Sequence, residues 1–180
     1  MSVTTDQLAA WKEKYGTVLE IEIDGRTAYF RPLYDFGILK PAFAAMQRSQ
    51  AAFAESLVNN AWLGGDEAVR TDDDLFAELT EVLADQLDIP EFTVKPAGEA
   101  SYIVTVDGRT CRLRRPRREE IRTAQERNSR NQPFETNLWL VPRLWLEGDE
   151  ELKTDVRLLL GLLPAIGELR ERKVAQLKKH

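Results

Sequence analysis

The sequence is poor in the residues on which most enzyme chemistry depends. It has one cysteine, Cys111, and one histidine, His180, in 180 residues. A lone cysteine excludes an internal disulfide, and a lone histidine leaves no Cys/His pair, Ser/His/Asp triad or His-rich zinc site to assemble. The ten glycines are scattered through IDGR, WLGGDE, VDGR, LEGDE and a few single positions, so neither GxGxxG nor GxxxxGK[ST] occurs. No uninterrupted apolar run approaches the roughly 18 residues of a membrane helix, and the opening MSVTTDQLAAWKEKYG lacks a basic-then-apolar leader pattern. The expectation is a soluble, intracellular protein with no cofactor and no membrane partner, and residues and spacing alone name no reaction. With 43% apolar and 31% charged residues, it should fold as one domain or two small ones.

What the sequence does contain is a repeat. Ile21-Glu22-Ile23-Asp24-Gly25-Arg26-Thr27 aligns with Val104-Thr105-Val106-Asp107-Gly108-Arg109-Thr110, and Trp62-Leu63-Gly64-Gly65-Asp66-Glu67 with Trp145-Leu146-Glu147-Gly148-Asp149-Glu150. Both matches share an offset of 83 residues, which also pairs Arg31 with Arg114, Ile38 with Ile121, Leu57 with Leu140, Asp72 with Asp155 and Leu79 with Leu162 without a gap. Register held over separate motifs and the apolar positions between them marks a tandem duplication: residues 1–88 form the first copy and 89–180 the second.

Within each copy the pattern predicts an α+β unit, a β-hairpin followed by about three helices. Leu19 to Ile23 alternates apolar and acidic residues, and Asp24-Gly25 supplies the turn, as Asp107-Gly108 does in the second copy. Cys111 stands where the first copy has Ala28 and reads as a small packed residue. Apolar spacings of three and four from Ile38 to Trp62 suit helices, with a break near Ser49-Gln50. The matching stretch, residues 128–133, ends in a proline suited to a first helical turn. The last helix of the first copy should start after Thr71-Asp72-Asp73-Asp74 with a threonine cap, and that of the second should run from Thr154-Asp155 to about Leu177, broken or kinked near Pro164. Thr5 to Lys14 reads as a short leading helix. Units of about 80 residues bury little apolar surface alone, so pairing between copies or with neighbours is expected.

The WLGGDE and WLEGDE segments read as loops in which Trp62 and Trp145 anchor the preceding helix and Gly65 and Gly148 make the turn. Asp66 and Asp149 then solvate the loop and favour the next helix's positive end. An oxygen cage for a metal is the competing reading, but neither segment has the calcium-loop register, and Asp73 and Asp74 become Val156 and Arg157 in the second copy. A hydrolytic site would have to rest on Asp66, Glu67 and Asp72 alone.

Charge divides the copies. Residues 1–88 carry 7 Lys+Arg against 16 Asp+Glu, a net of −9, whereas residues 89–180 carry 18 against 14, a net of +4. The basic patch comprises Arg112, Arg114, Arg115, Arg117 and Arg118 and continues through Arg122, Arg127 and Arg130. Such a patch can neutralise phosphates, but Glu119, Glu120 and Glu126 dilute it, aromatic residues do not interleave with it, and the sequence pI is about 5.1. Acidic proteins fit it as well as nucleic acid does, and nucleic acid is not the expected partner. Residues 168–180 are basic toward their end, which suits a solvated helix terminus or a recruiting tail.

Trp11-Lys12-Glu13-Lys14-Tyr15-Gly16, the hairpin VLEIEIDGRTAYFRP and the segment NNAWLGGDEAVRTDDDLF together resemble a family of small tailed-bacteriophage and prophage proteins, many labelled tail assembly chaperones or uncharacterised phage proteins. The resemblance covers residues 9–87. The second copy keeps the DGR turn and WLEGDEELKTD but has Ile89-Pro90-Glu91-Phe92-Thr93-Val94 in place of the WKxKYG opening. The resemblance implies a non-enzymatic morphogenesis protein in the cytoplasm of an infected bacterium, holding a tape-measure protein soluble and helping tail-tube subunits assemble. The alternative is a structural subunit retained in the capsid, neck or tail of the virion, with homo-oligomers conceivable in either case.

Overall fold

The computed structural model describes residues 3–98, 100–128 and 132–171. The chain divides into two compact units, Met1–Asp88 and Ile89–His180. Each is α+β, with a small antiparallel sheet carrying helices on its apolar face. Among the described residues no helix is long and apolar enough to cross a membrane.

In the first unit, Thr4 caps α1 (Thr5–Tyr15). Its hydroxyl accepts the Gln7 N–H at 3.2 Å while the Gln7 side chain accepts the Thr4 N–H at 2.9 Å. β1 (Leu19–Ile23) and β2 (Arg26–Phe30) pair through a two-residue turn whose Asp24 and Gly25 both have positive φ, 49° and 70°. That is the primed turn whose twist matches the strands it joins. Alternation places Ile21, Ile23, Ala28 and Phe30 on the buried face and leaves Glu20 and Glu22 exposed. α2 (Phe36–Met46) and α3 (Gln50–Ala61) follow, the latter capped by the Ser49 hydroxyl, which accepts the Ala52 N–H at 3.0 Å. β3 (Trp62–Gly65) returns beside β2, and α4 (Ala68–Thr71) and α5 (Asp73–Asp85) complete the unit. Ile38, Phe53, Leu57, Val58, Leu79 and Leu83 from the helices close over the sheet.

The second unit contains β4 (Phe92–Pro96), β5 (Ser101–Val106), β6 (Arg109–Arg114), α6 (Arg118–Arg127), α7 (Pro133–Leu144), β7 (Trp145–Gly148), α8 (Glu151–Thr154) and α9 (Val156–Glu171). The 83-residue offset carries α3, β3 and α4 onto α7, β7 and α8 with identical bounds. It also carries the turn, with Asp107 at φ 47° and Gly108 at 75°, and the strand irregularity, which falls between Tyr29 and Phe30 and again between Arg112 and Leu113. Buried Ala28 and Cys111, Phe30 and Leu113, Leu57 and Leu140, Val69 and Leu152, and Leu79 and Leu162 are matched pairs. The duplicated sequence thus builds one architecture twice.

Several expectations change. The tryptophan segments are strands, not loops, because each runs antiparallel to the second hairpin strand and makes it central. Thr71 ends the single-turn α4, and Asp72 is the cap of α5, its carboxylate accepting the Asp74 and Leu75 N–H groups, both at 3.1 Å. Among the described residues four helices, one a single turn, therefore follow each hairpin. α9 runs unbroken through Pro164, whose ring is exposed while Leu160, Leu162, Leu163, Ala165 and Ile166 are buried. Tertiary packing outweighs the local helix penalty. Gly161 is a close-approach residue: a Cβ there would lie 2.5 Å from Val106 Cγ1 and 2.8 Å from the Pro90 carbonyl oxygen. Arg130 and residues 172–180, including His180 and most of the basic tail, lie outside the described residues.

Candidate interaction surfaces

The paired tryptophan-glycine-aspartate segments are joints between hairpin and helix. Trp62, half-buried, sets its ring edge-on to Phe30 with centroids 5.4 Å apart and an 80° interplanar angle, and Arg70 covers it at 4.9 Å. Trp145 is covered in the same way by Lys153 at 4.4 Å. Gly65, at φ 134°, lies so near β2 that a Cβ would be 2.4 Å from the Thr27 carbonyl oxygen, and at Gly148, φ 137°, it would be 2.5 Å from Thr110 O. The Asp66 N–H donates to Thr27 O at 2.9 Å and its carboxylate accepts the Ala68 N–H at 2.9 Å, so it ties strand to helix. The Asp149 N–H donates to Thr110 O at 2.9 Å, and its carboxylate accepts the Thr110 N–H at 2.7 Å. Every one of these groups has an architectural task. Among the described residues no three or more His, Cys, Asp or Glu side chains gather where they could hold a metal ion.

Cys111 belongs to this joint. It is 2% exposed opposite Gly148, and burial, helped by the Asp149 charge, pushes its thiol up to about 12. At neutral pH it is a small apolar side chain.

The basic patch does not act as one surface. Arg114 forks onto Glu120, with Nη1 to Oε2 at 2.8 Å, and donates from Nη2 to the Arg143 carbonyl at 2.8 Å. Its first-copy counterpart, Arg31, donates from Nε to the Asn60 carbonyl at 3.0 Å, the equivalent position. Both arginines therefore fasten the hairpin exit to the carbonyl end of a helix, where a cation is favoured. The Arg114 hydrogen bond, opposed by partial desolvation and reinforced by the Arg117 N–H, pulls the Glu120 carboxyl down to about 2. Arg112 donates to Ser101 Oγ and to Ala97 O, both at 3.2 Å, and pairs with Glu147 at 3.5 Å. Arg117 caps α6 by its backbone. Arg115 and Arg118 instead line a depression in the second unit, together with residues further along the chain.

The units differ at the sheet edge and on the sheet's outer face. β4 pairs with β5 along its whole length, Phe92 opposite Val106 through Pro96 opposite Tyr102. The equivalent strand of the first unit, β1, is the sheet edge, paired on one side alone among the described residues. A short strand bearing Glu20 and Glu22 is a modest edge, since charge discourages self-pairing. Position 9–13, which would correspond to β4, lies within α1. That helix packs on the outer face of its sheet, with Trp11 6.1 Å from Tyr29 between ring centroids, and a Cβ on Gly64 would be 2.9 Å from the Trp11 ring. The second unit replaces Tyr29 by Arg112 and Gly64 by Glu147, and leaves Ile103 and Leu146 exposed at 42% and 49%.

Neither β4 nor the strand character of WLGG was found by sequence reasoning. The alternation Phe92-Thr93-Val94-Lys95 between Pro90 and Pro96 is a usable strand signal. Comparison with protein-family models, curated proteins and solved structures gives no match.

Proposed function

We propose that this chain is a non-enzymatic bacteriophage morphogenesis protein, a tail assembly chaperone working through protein–protein contacts. The motif resemblance over residues 9–87 suggests the class. The observation that carries the reading is the acidic edge of β1, unpaired among the described residues, in a fold that fills the same edge in its second unit. Strand addition to such an edge gives affinity through backbone hydrogen bonds and specificity through alternate side chains. An incoming segment of alternating apolar and basic residues would place cations beside Glu20 and Glu22. A tape-measure or tail-tube segment of that character is the proposed client.

The test is quantitative mass spectrometry of gradient-purified particles beside the lysate of the same induced cells, with affinity capture of the tagged protein. Abundance in lysate, absence from particles and co-purification of the tape-measure protein is the expected result. Retention in stoichiometric amounts in particles overturns the chaperone assignment and makes the protein a virion subunit.

A further inference from the structure

The second unit carries a depression of about 540 Å3 whose wall is arginine: Arg115 from the loop after β6, Arg118 and Arg122 from α6, and Arg170 from the end of α9. Pro116 and Ile121 form an apolar floor, Gln125 adds an amide, and among the described residues no carboxylate lines it. The duplication supplies a comparison for each position. At the offset of 83, the first unit has Pro32, Asp35, Leu39 and Leu87 where the second has these four arginines. One acid has reversed its charge and three apolar residues have become cations, from two separate stretches of chain that the fold brings to one hollow.

Four guanidinium groups gathered around one hollow repel one another, and a bound anion relieves that repulsion. Arg122 has one partner, Glu126 at 3.5 Å, and both side chains are about 70% exposed, a pairing of little strength. Arg170 donates from Nη1 to Asn137 Oδ1 at 2.9 Å, which fixes the plane of its guanidinium, while its buried Nε has no hydrogen-bond partner among the described residues. Guanidinium forks match the paired oxygens of phosphate or carboxylate, and several forks converging favour a multiply charged anion over a single carboxylate. The volume falls within the range of small-ligand sites.

We propose that this arginine-lined depression is a binding site for a phosphate-class oxyanion. It does not depend on the morphogenesis reading. The chemistry is shared by free phosphorylated small molecules and by a nucleic-acid backbone, so the test separates these sources. The probes are inorganic pyrophosphate, a short single-stranded oligodeoxynucleotide and an oligoglutamate peptide, each titrated calorimetrically into the full chain at low and moderate ionic strength.

Pyrophosphate should bind, its affinity should fall as salt rises, and Arg118→Asp with Arg122→Leu, which restores the first unit's residues at two exposed positions, should weaken it about tenfold or more. The exposed Arg48→Ala change in the first unit should leave binding unaltered, and unchanged melting of both variants establishes that they are folded. If the oligonucleotide binds far more tightly through the same arginines, the phosphate chemistry stands with a nucleic-acid source. If pyrophosphate binds more tightly, a free ligand is the source. Absence of pyrophosphate binding, binding indifferent to the double substitution, or tighter binding of oligoglutamate overturns the proposal.

Discussion

Gly65→Ala isolates the cost of holding the third strand against the hairpin. Two penalties act at this position: φ is 134°, a conformation that L side chains rarely adopt, and the new Cβ would sit 2.4 Å from Thr27 O and 2.7 Å from Ala28 Cα. Both neighbours are backbone atoms of the central strand, so no rotamer change relieves the overlap. Strain of this kind costs about 1–3 kcal/mol and overpacking about another 1–3 kcal/mol, giving an expected loss of about 2–6 kcal/mol. Gly25→Ala is the control, since φ is 70° and nothing lies within 4 Å of its Cβ, so only the left-handed penalty of about 1–2 kcal/mol applies. Urea unfolding followed by hydrogen-exchange mass spectrometry resolves the first unit from the second without assuming two-state behaviour of the whole chain. The first unit should lose about 2 kcal/mol more protection with Gly65→Ala than with Gly25→Ala, and the second unit should be unaffected by either change. Equal losses for the two variants would refute the close-approach explanation and leave backbone strain as the whole effect.

Acid should weaken the second unit through Glu120. Its folded carboxyl, held near 2 by Arg114, lies below the ordinary 4.5, so the stabilisation is complete above about pH 4.5 and is lost as pH falls through 2. The side chains of the pair are 27% and 20% exposed, and solvent screening reduces the contribution to about 1–2 kcal/mol. Glu120→Gln should flatten that acid limb in protection measurements on 101–127; an unchanged slope would remove this pair from the acid response. Cys111 should resist iodoacetamide in the folded protein at pH 8 and react on unfolding in urea, because the thiol is buried and titrates near 12. Native-state alkylation at the rate of a free thiol would contradict the packing of β6 against β7.

How far the sequence revealed the fold depended on the kind of signal. The hairpins were legible because alternation and Asp-Gly each carry a local physical meaning, and the duplication was legible because it is a comparison of the chain with itself. The third strand was not, because four residues hold too little periodicity, and the glycine that permits it is informative only once the central strand beside it is known. Asp72 was passed over as a cap because Thr71 preceded it, yet the single turn of α4 consumes the threonine. The patch from Arg112 to Arg118 was visible as composition, but its division was not: Arg112 and Arg114 are engaged by partners distant in sequence, and Arg170, the fourth wall of the depression, lies more than fifty positions away from Arg115.

The divergence of the copies follows a steric rule. Where α1 covers the sheet, residue 64 is glycine and residue 29 is tyrosine, because Trp11 needs the missing Cβ and an aromatic partner. Where β4 extends the sheet, residue 161 is glycine, because Val106 and Pro90 press against α9, whereas the equivalent residue in the first unit is the exposed Glu78. Each glycine is matched to a segment that only its own unit has. Among the described residues the two units have therefore exchanged one closure for another: the first covers its outer face and leaves an acidic strand edge, and the second closes that edge and leaves Ile103 and Leu146 exposed on its outer face. Together with the replacement of Pro32, Asp35, Leu39 and Leu87 by arginines, this makes the surfaces chemically opposite. On the two proposals, a ligand suited to one unit would meet the wrong charge on the other, and the duplication would serve two different ligands, not one ligand twice.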